Sequence, residues 1–214
     1  MNDFELERWA DSLRLPPWER DSVLQTLRHF PVRCRSRGMF ASGVLKSVER
    51  VCGASVAAEV QRQSGYPRRI TSFSLYPHVT FYRLFYASAS LMFPTQSLGE
   101  GMQSVAETFY PIFSESLAGR TMKALLGRTP EAVLARFVDA YRIATPWNEH
   151  AVEFVDTQAA RWKCMVEPCD FYEYTFAGIC TGMVRAATGV VPTFEVVERS
   201  RATNHQRLEM MIRW

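Results

Sequence analysis

At 214 residues, with 47% apolar and 22% charged side chains, the chain is long enough to bury a core of its own. A net charge of +3 is too small to point to nucleic acid. No run approaches the roughly 18 apolar residues of a membrane span. The acidic opening MNDFELERWA lacks the basic and apolar regions of a signal peptide, so a cytoplasmic protein is expected.

The first elements are helices. Residues 3–14 and 17–30 have helical patterning, separated by Pro16 and Pro17. PVRCRSR, from Pro31 to Arg37, is extended, an edge strand or a connection. MFASGVLKSVERVCG then places Phe40, Val44, Leu45, Val48 and Val51 on one helical face, with Gly53 as its stop. A shorter helix covers Ala54 to Gln63. YPHVTFYRLFYASASLMF, from Tyr76, has Pro77 at a helix start, and its aromatics crowd one side.

Ser97 to Gly119 is predicted as one long helix. Ser97 and Glu100 form a capping box, and Pro111 introduces a kink. A short helix follows over Thr121 to Leu126, and then another capped by Thr129 with Pro130 in its first turn. From Glu149 the periodicity changes to two. Glu149 to Thr157 and Ala160 to Pro168 form a hairpin, with Val152, Phe154 and Asp156 on one parity of its first strand and Trp162, Cys164 and Val166 on one parity of its second. A small-residue helix, Phe171 to Gly189, and two more strands end the chain. The fold class is therefore α+β: N-terminal helices followed by a twisted four-stranded antiparallel sheet with helices packed on it. Residues 1–31 make an N-terminal helical arm and residues 32–214 a single α/β domain resembling ligand-binding domains.

RGMFASGVLKSVE, LYPHVTFYRLFYASASLMFP, LAGRTMKALLGRTPEAVLARF and FAGICTGMVRAATGVVPTFEVVE resemble the successive blocks of a myxobacterial paralogous family of unknown function. The resemblance runs from about Val32 to Trp214. The C-terminal unit is also similar to the superfamily of 4-vinyl-reductase domains, TRAPP small subunits and heme–nitric-oxide-binding domains. That similarity implies a TRAPP-like layout, frequent homodimers and, in several members, an apolar pocket. The tyrosine–x–serine–x–arginine string of the heme-binding relatives is absent, and YASAS from Tyr86 comes nearest to it.

No residue set makes a catalytic constellation. Cys34, Cys52, Cys164, Cys169 and Cys180 are odd in number and irregular in spacing, which argues against a disulfide framework. Cys164 and Cys169 form a C-x4-C pair without a second pair, and Cys164 faces inward on a strand, so it reads as a buried small hydrophobe and no metal is expected. His29, His78, His150 and His205 read as isolated surface or capping histidines. Heme would need an axial ligand, and His78 beside Phe81, Tyr82 and Phe85 is the residue placed to supply one. Otherwise no cofactor is expected.

A ligand cavity would draw on Phe81, Phe85, Phe109, Phe113 and His78, with Phe73 and Phe93 as further wall candidates. Gly178 and Gly182 share a helix face, either packed closely on the sheet or serving an interface or ligand. Arg33, Arg35 and Arg37 alternate, so an extended strand would line them on one face. They would bind an anion or acidic partner, or simply blunt a sheet edge. The reading that emerges is a non-enzymatic sensory or adaptor domain. It would be homodimeric, would hold a small apolar ligand and would signal through a protein partner, with neither nucleic acid nor a membrane span involved. The alternatives are an interaction or tethering module with a filled core, and a heme or tetrapyrrole binder.

Overall fold

In the computed structural model, which describes residues 2–115, 119–120, 127–202 and 205–214, Asn2 opens the first helix. Its side chain accepts from Glu5 N at 2.9 Å while Glu5 Oε2 accepts from Asn2 N at 3.0 Å, a capping box worth about 1 kcal/mol. Helix α1 (Asp3–Ser12) and helix α2 (Pro17–His29) bury Leu6, Trp9, Val23 and Leu24 in the same core as the rest of the chain. Strand β1 (Arg35–Arg37) leads into helix α3 (Gly38–Cys52), which stops at Gly53, where φ is +89°. Helix α4 (Ala54–Ser64) ends the same way at Gly65. Strand β2 (Leu75–Pro77) pairs antiparallel with β1; the extended run ending at Arg37 is legible in the sequence, whereas at β2 the pattern shows only the start of a helix.

Helix α5 (His78–Met92) and helix α6 (Leu98–Glu115) follow. The predicted box at Ser97 is present: Ser97 N donates to Glu100 Oε2 at 3.1 Å, and Ser97 Oγ accepts from Glu100 N at 3.4 Å. The start of α6 is held a second way. Glu19 on α2 is buried, and its Oε1 accepts from Leu98 N at 2.8 Å, so one of the helix's free N–H groups is satisfied by the N-terminal arm. Pro111 stands inside α6 as the sequence places it. The short helix predicted over residues 121–126, and the part of the long one over 116–118, lie outside the described residues.

Helix α7 (Pro130–Ala144) is capped by Thr129 Oγ1, which accepts from Ala132 N at 3.3 Å. Strands β3 (Glu149–Asp156) and β4 (Ala159–Val166), helix α8 (Tyr172–Thr188), and strands β5 (Thr193–Arg201) and β6 (Gln206–Arg213) complete the chain. The sheet order is β3-β4-β6-β5, antiparallel throughout. Ala160, Trp162, Cys164 and Val166 on β4, and Leu208, Met210 and Ile212 on β6, bury the inner face. The outer face is solvated and crossed by ion pairs, Arg161–Glu209, Lys163–Glu153 and Arg213–Glu195, each at 3.0 Å. Phe154 has inward parity yet is 43% exposed, because β3 is an edge strand with a neighbour on one side only.

Helices α6 and α8 form the central seam. A Cβ on Gly178 would lie 2.3 Å from Gln103 O and 2.6 Å from Ala106 Cβ; one on Gly182 would lie 3.0 Å from Glu107 O. The two glycines thus let α8 approach α6, a helix–helix contact, rather than serving the packing of α8 on the sheet. Among the described residues, no helix is long and apolar enough to cross a membrane.

Candidate ligand cavity

A cavity of about 280 Å³ lies where α3, α5, α6, α7 and α8 converge. The first turn of α5 puts His78 in its wall, and the next turns add Phe81, Tyr82 and Phe85. Helix α6 contributes Phe109, Tyr110 and Phe113 at i, i+1 and i+4. Met39 and Phe40 on α3, Phe137 and Tyr141 on α7, and Tyr172, Thr175, Ile179 and Met183 on α8 close the remaining sides. The wall aromatics support one another: Phe81 meets Phe85 at 4.9 Å between ring centroids, Phe109 meets Phe113 at 5.4 Å, and Phe40 stacks on Phe113 at 5.8 Å.

His78 is buried in the first turn of α5, beside the aromatics that the sequence places around it. Pro77 precedes it, and its backbone N–H donates to Cys34 O at 2.8 Å, which fixes the start of α5 against β1. Its ring sits among Phe30, Phe81, Tyr82 and Trp147, at centroid distances of 5.5, 5.4, 5.1 and 5.2 Å. Burial pushes its pKa down to about 3, so the imidazole is neutral at physiological pH. Its Nδ1 has no hydrogen-bond partner among the described residues.

Other polar atoms of the lining are in the same condition. Tyr110 OH, Asn148 Oδ1 and Thr175 Oγ1 are buried without partners among the described residues. Burial raises the Tyr110 phenol to about 12, so it stays protonated and can donate. Unpaired buried polar groups cost about 1–3 kcal/mol each, and native structures keep few of them. Ser36 Oγ and Tyr172 OH are in the same condition, so six such atoms converge on one aromatic cavity, a small set of donors and acceptors set into apolar walls, which is how small-molecule sites are built.

Each residue that the sequence singled out can be placed. His78, Phe81, Phe85, Phe109 and Phe113 all line the cavity. Phe73 does not: it stands 67% exposed before β2. Phe93 faces a separate cleft between the N-terminal arm and the α5–α6 turn. Gly178 and Gly182 lie on the face of α8 that meets α6. Arg35 and Arg37 share one face of β1, and Arg37 also reaches the cavity lining. Arg33 precedes the strand and pairs with the buried Glu167 at 3.3 Å, where Cys34 Sγ donates to the same carboxylate oxygen at 3.4 Å. The Cys34 thiol is pushed up to about 12, chiefly by burial. All five cysteines are free, and no cluster of three metal-ligating side chains occurs among the described residues.

Tyr110, Asn148 and Thr175 were not anticipated. Tyr110 could have been, since it adjoins the Phe109–Phe113 pair on α6; Asn148 lies in a turn and carries no periodic signal. His150 was also misplaced. It is half-buried, not on the surface; it accepts a hydrogen bond from Trp162 Nε1 at 3.2 Å and stacks on Tyr141 at 4.1 Å.

A family profile described as "Protein of unknown function (DUF2378)" matches residues 32–214. The chain belongs to that family. No curated protein matches it. Several solved structures do share its fold. A crystal structure of an oxygen binding H-NOX domain related to soluble guanylate cyclases superposes with a TM-score of 0.66 at 18% identity, covering 83% of this chain and 94% of that one. A structure of a Cs H-NOX mutant carrying 4-cyano-L-phenylalanine gives 0.65 at 19% identity, covering 83% and 95%. A mutant H-NOX from T. tengcongensis gives 0.57 at 22% identity, covering 83% and 96%. At these identities the likeness is one of fold: this chain is built as an H-NOX-like arrangement of helices on a four-stranded antiparallel sheet.

Proposed function

We propose that this chain is a sensory domain that binds a ligand in the aromatic cavity and reports occupancy to a protein partner, without chemical turnover. The observation that carries the reading is the cavity with its six buried polar atoms that have no partner among the described residues, led by His78 Nδ1. A bound ligand would supply the missing partners. Because the wall is contributed by five helices, including both members of the α6–α8 seam, occupancy would favour one packing of that seam over another.

Two ligand chemistries compete for the site. The first is heme, which gains support from the shared H-NOX fold and from His78 itself. A neutral buried imidazole with a free ring nitrogen has the donor chemistry of an axial ligand, and Arg37 is the lining residue with a charge suited to a propionate. When bound, heme supplies an iron centre able to take a diatomic gas. The second is a smaller organic molecule with an apolar body and a polar end. It gains support from the size of the cavity, about 280 Å³, near the lower end of the roughly 300–1,000 Å³ common for ligand sites. It also accounts for Tyr110, Asn148 and Thr175, which a porphyrin held by His78 and Arg37 would not require.

Native mass spectrometry of the protein purified from its own cells, with an absorbance scan, separates the two. A Soret band that is lost in His78→Ala establishes heme. A retained organic mass without a Soret band, weakened in Tyr110→Phe, establishes the smaller ligand. A protein that is repeatedly empty, and that takes up neither hemin nor any member of an aromatic-acid and quinone panel, overturns the sensory reading in favour of an interaction module.

A further inference from the structure

The β1–β2 ribbon lies in the most one-sidedly charged part of the chain. Residues 22–48 and 60–99 contain no Asp or Glu, yet they carry Arg28, Arg33, Arg35, Arg37, Lys46, Arg62, Arg68, Arg69 and Arg83. Strand pairing brings the two segments together, with Arg35 opposite Pro77 and Arg37 opposite Leu75. These four residues share the ribbon's outward face, while Ser36 and Tyr76 face inward. Arg35, Arg68 and Arg69 are exposed and have no ion-pair partner among the described residues. Along the same two segments stand exposed apolar side chains that should be costly in water: Val32 at 84% exposure, Phe73 at 67% and Leu75 at 56%.

Phe73 is not exposed because its loop is loose. Three successive carbonyls of that loop are tied down. Ser72 O accepts from Met39 N at 2.9 Å, Phe73 O from Arg37 Nη1 at 3.3 Å and Ser74 O from Gly38 N at 3.0 Å. Close packing underneath fixes the same place: a Cβ on Gly38 would lie 2.4 Å from Thr71 O, so only glycine lets the loop seat there. The backbone is held from below, and the phenyl ring is held out.

We propose that this face docks on an anionic lipid bilayer. Unpaired guanidinium groups would meet the headgroups, while Phe73, Leu75 and Val32 enter the interface beneath them. A folded acidic protein would call for a shaped patch with an anchor seated in a pocket. What is observed instead is apolar side chains standing mostly free of neighbours among mobile-length cations, which is what a bilayer surface rewards. Arg37 belongs both to this face and to the cavity lining, so docking would set the cavity beside the bilayer, a natural source of an apolar ligand. That last step rests on the ligand-binding reading; the docking itself does not.

The test is co-sedimentation of the whole chain with vesicles of phosphatidylcholine, with and without phosphatidylglycerol, and with no ligand added. Binding is expected only with phosphatidylglycerol, and it should weaken as NaCl is raised. Each arginine near such a surface contributes about fivefold in partitioning, so the combined Arg35→Gln, Arg68→Gln and Arg69→Gln variant should lose about a hundredfold. Phe73→Ser should lose about tenfold or more without changing the salt dependence, since it removes only apolar burial. Both variants alter exposed side chains, and an unchanged thermal midpoint would show that the fold is intact. Failure to sediment with phosphatidylglycerol vesicles, or equal binding by the triple variant, overturns the proposal. Retention on immobilised polyglutamate without vesicle binding also overturns it, and assigns the face to an acidic protein. Cavity occupancy is read separately by mass spectrometry, so either inference can fail alone.

Discussion

Two aromatic clusters, each with a partly or fully buried histidine, meet at Phe137 and Tyr141 of α7, and they are packed differently. Against the sheet, Trp162 and Phe176 fill their space, with Phe137 and Tyr141 packed on them from the cavity wall. Trp162 meets Phe176 at 4.7 Å, Phe137 meets Tyr141 at 4.7 Å, and His150 is stacked on Tyr141 and accepts from Trp162 Nε1. On the helical side, Phe81, Phe85, Phe109 and Phe113 surround open space, and His78 Nδ1 has no partner among the described residues. The residue types are nearly the same. His150 Nε2 lacks a partner among the described residues just as His78 Nδ1 does, so what separates the candidate site from the core is the open space between its rings.

The largest effect should come from the filled side. Trp162→Ala removes a fully buried indole and leaves His150 without its donor, so a loss of about 3–5 kcal/mol is expected in urea denaturation. Phe81→Ala should cost only about 1–2 kcal/mol, because a ring that borders empty space has fewer partner atoms to lose. Equal losses at the two positions would show that both clusters are packed alike. At the seam, Gly178→Ala forces a Cβ to within 2.3 Å of Gln103 O. Overpacking of about 1–3 kcal/mol is expected, offset by roughly 1 kcal/mol of helix propensity. Gly182→Ala, whose nearest contacts are 3.0 and 3.1 Å, should cost less. Because α6 carries Tyr110 and Phe113 into the cavity, Gly178→Ala should also shift ligand affinity, measured by titration calorimetry, whereas Trp162→Ala should alter it far less per kcal/mol lost.

Much of the architecture could be read from periodicity. The switch from a period near 3.6 to a period of two at Glu149 located the sheet, and Ser97, Thr129 and Gly53 marked helix ends because their capping chemistry is local. The β1–β2 ribbon could not be read this way: each strand has three residues, and their pairing joins positions about forty apart. The cavity was half legible. Phe81, Phe85, Phe109 and Phe113 stand out as aromatic pairs at i and i+4, but that spacing serves a core equally well. Whether space remains between the pairs depends on how five helices meet. Phe73 shows the limit most plainly, since an aromatic in an apolar-looking segment is held outward by backbone hydrogen bonds that no side-chain pattern reveals.

Acid should destabilise the fold through both histidines. Unfolded, each takes up a proton near pH 6.5; folded, burial holds His150 down to about 4 and His78 to about 3. Below pH 6.5 the unfolded chain therefore binds more protons. Stability that is fully present above pH 6.5 is lost as pH falls, by about 1.4 kcal/mol per pH unit for each histidine until its folded pKa is reached. His78→Phe and His150→Phe should each remove one histidine's share of that slope between pH 6 and pH 4, measured by urea denaturation at each pH. Only His78→Phe should abolish ligand retention. An unchanged slope in His78→Phe would mean that this ring is solvated, and would remove it from the cavity's chemistry.

The smallest effect on stability is the most telling about function. Tyr110 OH is buried without a partner among the described residues, so the folded protein already bears the cost of desolvating it. Tyr110→Phe removes that cost and little else. Stability should stay level or rise by up to about 1 kcal/mol, unlike the usual outcome of truncating a core residue. Affinity for a ligand that accepts from this phenol should fall by about tenfold, the worth of one good hydrogen bond in a dry site. A thermal midpoint that holds or rises while affinity drops would show that the hydroxyl is kept for binding at the expense of stability, which is the mark of a site rather than a core. A lower midpoint with unchanged affinity would mean that the hydroxyl serves the fold, and the helical cluster would then be a core like the one against the sheet.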